Sequence, residues 1–141
     1  MFSILINAYA CSPDMGSEPG MAWNWCVNLA NYCELHIITE GEFRDKIEAV
    51  VPTLPQGRNM HFYYNPVSEE VRKMCWNQGD WRFYKHYHAW QYRTYEIALG
   101  IIKIYHIDIV HQLNMIGFRE SGYLWKIEGI PFVWGPVDAK E

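Results

Sequence analysis

Short apolar runs alternate with stretches of helical periodicity along the whole chain, an alternation that predicts βαβ units around a parallel sheet. The first run, Phe2 to Ala8, is apolar at nearly every position, as in a strand covered on both faces. A helix is expected from Glu18 to Asn31, where Ala22, Cys26, Leu29, Ala30 and Cys33 fall at helical spacing on one face. "ELHIIT", Glu34 to Thr39, predicts the second strand, and "EFRDKIEAVV" predicts a charged helix that stops at Pro52. "NMHFYYN", Asn59 to Asn65, predicts a third strand closed by Pro66. A helix of about 24 residues is expected from Trp81 onward. A strand from Asp108 to Leu113, a short helix from Arg119 to Lys126 and a last strand from Pro131 to Gly135 complete the pattern.

The predicted class is therefore α/β, a Rossmann-like doubly wound and mostly parallel sheet, with residues 1–141 forming one domain. Such sheets bind ligands outside the carboxyl ends of their strands, near the point where strand order reverses. That rule directs attention to the loops Ala10 to Ser17, Asn114 to Phe118 and Gly135 to Asp138.

The long helix carries two apolar stripes. Trp81, Tyr84, His88, Tyr92, Tyr95, Leu99 and Ile102 form one, and Phe83, Tyr87, Trp90, Ile97, Ile101 and Ile104 form the other. One stripe suffices to pack on a sheet, so the second is surplus to a one-sided amphipathic helix.

Composition narrows the function. Half of the residues are hydrophobic and the net charge is −4, which argues against a nucleic-acid binder, since such proteins need surplus Lys and Arg for phosphates. No apolar stretch reaches the roughly 20 residues that span a bilayer, and no signal peptide is visible. The cysteines Cys11, Cys26, Cys33 and Cys75 form no C-x-x-C pair, so free thiols in the cytoplasm are expected. Within this acidic chain the segment Arg72 to Lys103 is net positive: Arg72, Lys73, Arg82, Lys85, Arg93 and Lys103 outnumber Asp80 and Glu96. Three readings stand for it. It is a solvated face beside a core stripe, a contact for the acceptor or the inner face of a membrane, or a surface for another domain or subunit.

"CSPDMGSEPGMAW", Cys11 to Trp23, links the first strand to the first helix. As a helix start, Ser17 serves as N-cap, Glu18 meets the positive end of the helix dipole and Pro19 suits the first turn. A cap alone does not need Gly16 and Gly20. Gly16 is expected to take a positive φ and Gly20 to open the first-turn backbone to close approach, and together they suit an anion site. The spacing is G-x-x-x-G, so neither the dinucleotide fingerprint nor the P-loop is present, and G-x-S-x-G is absent too. Glu18 as an acid or base and Cys11 as a nucleophile lack partners readable from sequence. His86 and His88 diverge by about 200° on a helix and do not share a metal, and His106 and His111 add no ligand spacing.

"ILINAYACSPDMGSEPGMAWNW", "DIVHQLNMIGFRESGYLWK" and "GIPFVWGPV" resemble, in order and spacing, the amino-terminal half of GT-B glycosyltransferases of the large retaining family 4. The resemblance implies one half of a two-domain GT-B architecture, in which this domain mainly holds the acceptor and a carboxy-terminal domain holds most of the nucleotide-sugar. It implies that Gly16, Ser17, Glu18 and Gly20 line the cleft beside the donor diphosphate. It further places His111, Gln112, Asn114, Trp134, Gly135 and Pro136 on the acceptor side of that cleft. The implied partners are a nucleotide-sugar donor and a glycan or lipid-linked acceptor, without nucleic acid, metal or bound cofactor. Position 113 is Leu where many relatives carry a second histidine, so the catalytic group is left unassigned. After "WGPV" the chain reads "DAKE", without the usual glycines and without a second domain, so no turnover is expected from this chain alone. The alternatives are a non-catalytic Rossmann-like binding or interaction domain and an enzyme of another nucleotide cofactor.

Overall fold

The computed structural model describes residues 1–77, 80–113 and 121–136. Five strands form one sheet: β1 (Phe2–Asn7), β2 (Cys33–Thr39), β3 (Met60–Tyr64), β4 (Ile109–Gln112) and β5 (Phe132–Trp134). The order across the sheet is β3-β2-β1-β4-β5, and every neighbouring pair is parallel. Four helices cover it: α1 (Ser17–Leu29), α2 (Arg44–Val50), α3 (Glu69–Trp76) and α4 (Phe83–Ile104). The expected Rossmann-like α/β fold is present, with β1 central and the order reversing between β1 and β4.

Alternation along β1 sets the two layers. Ile4, Ile6 and Ala8 face α1 and α2, where they pack with Ala22, Trp23, Cys26, Leu35, Ile37 and Ile47. Leu5 and Tyr9 face the other way, toward Val71 of α3 and the long helix α4. Period-two alternation thus serves two cores at once, which is why the strand reads as unbroken apolar sequence. All four cysteines are free thiols, three of them buried.

α4 spans 22 residues and buries Phe83, Tyr87, Trp90, Gln91, Thr94, Ala98 and Ile101. The buried stripe therefore leaves the predicted one after Trp90 and meets it again at Ile101. Ile97 is half-buried and Ile104 is 76% exposed, because steps of 3.6 residues carry the inner face through Thr94 and Ala98 to Ile101. Phe83, Tyr87 and Trp90 have essentially no exposure, and each contributes about 1.5–3 kcal/mol by its burial. The other stripe is mostly in solvent, with Trp81 78% and Tyr92 50% exposed, while Tyr95 and Ile102 are half-buried against the core.

The other expected boundaries fall within a residue or two, whereas α3, capped by Ser68 Oγ accepting from Val71 N–H, is an additional helix that the sequence reading did not include. The charged helix is shorter than its apolar pattern and passes into a 3-10 turn, Val51–Thr53, around Pro52. Of the short helix expected at Arg119 to Lys126, the described part holds only a 3-10 turn, Leu124–Lys126. No helix among the described residues is long and apolar enough to cross a membrane.

Candidate functional site

The carboxyl edge of the sheet is a single row of residues. Asn7 of β1 pairs with Ile38 of β2 and with Gln112 of β4, and Gln112 pairs with Trp134 of β5. The ladder continues one step past the strands, with Leu113 N–H donating to the Asn7 carbonyl at 2.9 Å and Gly135 N–H to the Gln112 carbonyl at 3.0 Å. α1 departs to one side of β1 and α4 returns from the other, so this row holds the topological switch point.

Beneath the row lies a set of buried amides that sequence reasoning did not find. Asn7 Nδ2 donates to Gln91 Oε1 at 2.8 Å and to Gln112 Oε1 at 3.2 Å. All three side chains are almost fully buried, and Gln91 Nε2 has no hydrogen-bond partner among the described residues. Gly122, at φ +64°, lies over the pair. A Cβ there would stand 2.8 Å from Gln91 Oε1 and 3.0 Å from Gln112 Oε1, so no larger residue fits without displacing them. The one available signal was Gln91, a polar residue inside an aromatic stripe.

The loop after β1 is tied at its base. Ser12 N–H donates to the Pro19 carbonyl at 3.0 Å, and Ser12 Oγ donates to Asp14 Oδ1 at 2.9 Å. Asp14 also pairs with Lys46 of α2 at 2.7 Å, and the Lys46 and Ser12 contacts hold its carboxyl below the usual range. Between those ties Gly16 and Ser17 are exposed and Glu18 is half-buried. The N–H groups of Gly16 and Ser17 find no acceptor among the described residues, as at an uncapped helix start.

Three expectations for this loop are corrected. Ser17 is not the N-cap; Gly16 holds that position with extended backbone, and no side chain caps the helix. The positive φ falls on Ser17, at 56°, rather than on Gly16, at −89°. Gly20 is buried, and its close neighbour is the loop's own Met15 carbonyl, which a Cβ would meet at 2.1 Å. Gly20 therefore lets the loop fold onto its helix and leaves no room there for a ligand.

Of the residues expected across the cleft, His111 and Gly135 meet. His111 Nε2–H donates to the Gly135 carbonyl at 2.7 Å, and the ring sits edge-on to Trp25 of α1 with centroids 5.4 Å apart. Burial pushes the imidazole below its ordinary pKa, partly opposed by that hydrogen bond, so the ring is neutral near pH 7. Gly135 has φ 138°, a conformation that favours glycine. Trp134 and Pro136 are exposed on the edge, whereas Gln112 turns inward to the amide set. Asn114 lies outside the described residues, as does the Asn114 to Phe118 loop.

One further group at this edge escaped the sequence. Glu40, just past β2 and nearly fully buried, accepts from Arg72 Nη2 at 2.7 Å, from Arg72 Nε at 2.9 Å and from Val67 N–H at 3.0 Å. It fastens α3 to the sheet. Cys11, by contrast, is buried with its thiol pushed well up by its contact with Cys26 and by burial, the reverse of an activated nucleophile.

The edge thus offers an exposed turn with free backbone donors, a neutral histidine strapped to a glycine, and exposed indole on the last strand. Comparisons with models of known families, with curated proteins and with solved structures return no match.

Proposed function

We propose that this chain is the acceptor-side, Rossmann-like domain of a glycosyltransferase that moves a sugar from a nucleotide-sugar to an acceptor. The observation that carries the reading is the exposed Gly16–Ser17 turn at the sheet's switch-point edge, whose two N–H groups find no acceptor among the described residues. Breaking a sugar–phosphate bond builds negative charge on the leaving diphosphate, and fixed N–H donors at a helix start stabilise it without reorganising. The order of the three motif segments along the chain supports the same reading.

Each neighbouring residue has a task in it. Gly20 and the Ser12–Pro19 bond fix the loop's shape before a ligand arrives. The His111–Gly135 bond holds the exit of β5 against β4 and sets the opposite wall. Trp134 offers a flat face to the acceptor. Glu18 sits beside the amides, where its charge keeps the turn selective for a ligand bringing its own cation or further donors from a second domain.

Amide chemical-shift titration of the 15N-labelled protein with UDP, GDP and inorganic pyrophosphate tests the proposal. Shifts concentrated at residues 15–18, with smaller ones at His111 and Gly135, are expected. Shifts spread over the surface, or none at the turn, would contradict it.

A further inference from the structure

We propose that the hollow between α3 and the start of α4 binds a sugar ring of a neutral acceptor glycan, an inference that rests on the acceptor-side reading above. The hollow has a volume of about 660 Å³, walled by Glu70 and Met74 of α3 and by Trp81, Arg82, Tyr84 and Lys85 at the entry to α4. That volume falls among those of ligand pockets, about 300–1,000 Å³.

Its position suits an acceptor. α4 runs back along the sheet toward β4, so its first turn lies at the carboxyl edge, where Phe83 packs edge-on to Tyr9 with centroids 5.7 Å apart. The hollow therefore opens at the same end of the sheet as the Gly16–Ser17 turn.

Three features select a sugar. Trp81 is 78% exposed and Tyr84 47% exposed, offering electron-rich ring faces to the C–H-rich face of a pyranose. Hydroxyl groups both donate and accept, and the hollow provides both roles. Lys85 donates and Glu70 accepts, and neither enters a hydrogen bond or ion pair among the described residues. The charge is also balanced: Arg82 is held by Asp80 through bonds of 3.0 and 2.9 Å, and Glu70 offsets Lys85. An anionic lipid surface rewards a surplus of Lys and Arg, which the Arg82–Asp80 pair and Glu70 reduce here, although Lys73 lines the adjoining hollow. A smaller adjoining hollow of about 280 Å³ shares Glu70, Met74 and Arg82, so a second ring has a place beside the first.

Saturation-transfer NMR with the methyl glycosides of maltose, lactose and cellobiose tests the assignment on the whole chain, with the Trp81 indole N–H followed in parallel. Saturable binding of at least one glycoside that shifts the Trp81 indole is expected. Trp81→Ala should weaken it about tenfold and Glu70→Gln several-fold, while Tyr32→Ala, an equally exposed aromatic at the far end of α1, leaves it unchanged. Binding should also persist at about 0.5 M NaCl, where surface electrostatics are screened. No saturable binding, or binding indifferent to Trp81→Ala, overturns the proposal. So does Trp81-dependent sedimentation with phosphatidylglycerol vesicles in place of glycoside binding. Failure here leaves the diphosphate titration of residues 15–18 unaffected, so the two readings fail separately.

Discussion

Asn7 Nδ2 donates to Gln91 Oε1 across 2.8 Å, joining the carboxyl end of the central strand to the middle of the longest helix. The same nitrogen reaches Gln112 on the neighbouring strand, so one side chain sets the spacing of three elements beneath the switch point. Asn7→Ala removes the donor that Gln91 Oε1 and Gln112 Oε1 share and leaves the Gln91 oxygen buried. A loss of about 2–3 kcal/mol in urea unfolding is expected. Gln91 already carries an unpartnered Nε2, so the variant has no spare hydrogen bond to fall back on.

The β1–α1 loop yields a set of opposed substitutions. Gly16→Ala is expected to be neutral within about 0.5 kcal/mol, since its φ is ordinary and an added Cβ meets nothing within 4 Å. Gly20→Ala should cost about 1–3 kcal/mol, because the new Cβ overlaps the Met15 carbonyl. Ser17→Gly should gain about 0.5–1 kcal/mol by relieving a left-handed serine. Thermal unfolding of the three variants reads all of these signs.

Acid should destabilise the fold through two histidines. Burial, then the neighbouring His61, lowers the pKa of His36, which stacks on His61 and Tyr105 and bonds Tyr63 Oη at 2.8 Å; Glu34 opposes the shift. Burial lowers His111 as well. A histidine whose folded pKa is depressed binds more protons when unfolded, so its contribution is complete above about pH 6.5 and is lost as pH falls toward the folded value. Melting temperature should drop between pH 7.5 and pH 5, and His36→Gln and His111→Gln should each remove part of that drop.

Glu40 and Arg72 should behave as a buried pair. Arg72→Met leaves the Glu40 carboxylate, whose side chain is 2% exposed, without its cation. A loss of about 3–5 kcal/mol is expected, against a smaller one for the double variant Glu40→Gln with Arg72→Met. A double-mutant cycle in urea measures the difference.

The layering was legible because it rests on period and chain order. The apolar run at Phe2 to Ala8 and the alternation of strand and helix patterns place the five strands, α1, α2 and α4, while α3 follows from no pattern read there. The candidate site was legible only in outline. The glycines of the first loop were found, but which one bears the strained backbone depends on how Met15 folds back onto Gly20, a contact set by three-dimensional closure. The Asn7–Gln91–Gln112 set and the Glu40–Arg72 pair join residues far apart in the chain, and no local spacing announces them. On α4 the inner stripe was misplaced after Trp90 because Ile97 and Ile104 are as hydrophobic as the positions that are buried. Geometry chose Thr94 and Ala98 instead, whose small side chains fit close against the sheet.

The affinity of the chain for UDP, compared between wild type and Gly16→Pro, tests the central claim most directly. Gly16 has φ −89°, close to what proline adopts, so the substitution removes one backbone donor while the Gly20 N–H to Gly16 carbonyl bond can remain. Binding at the turn in the wild type and an affinity about fivefold to tenfold lower in the variant, with unfolding unchanged, is the expected result. Equal affinity in the two proteins would contradict it.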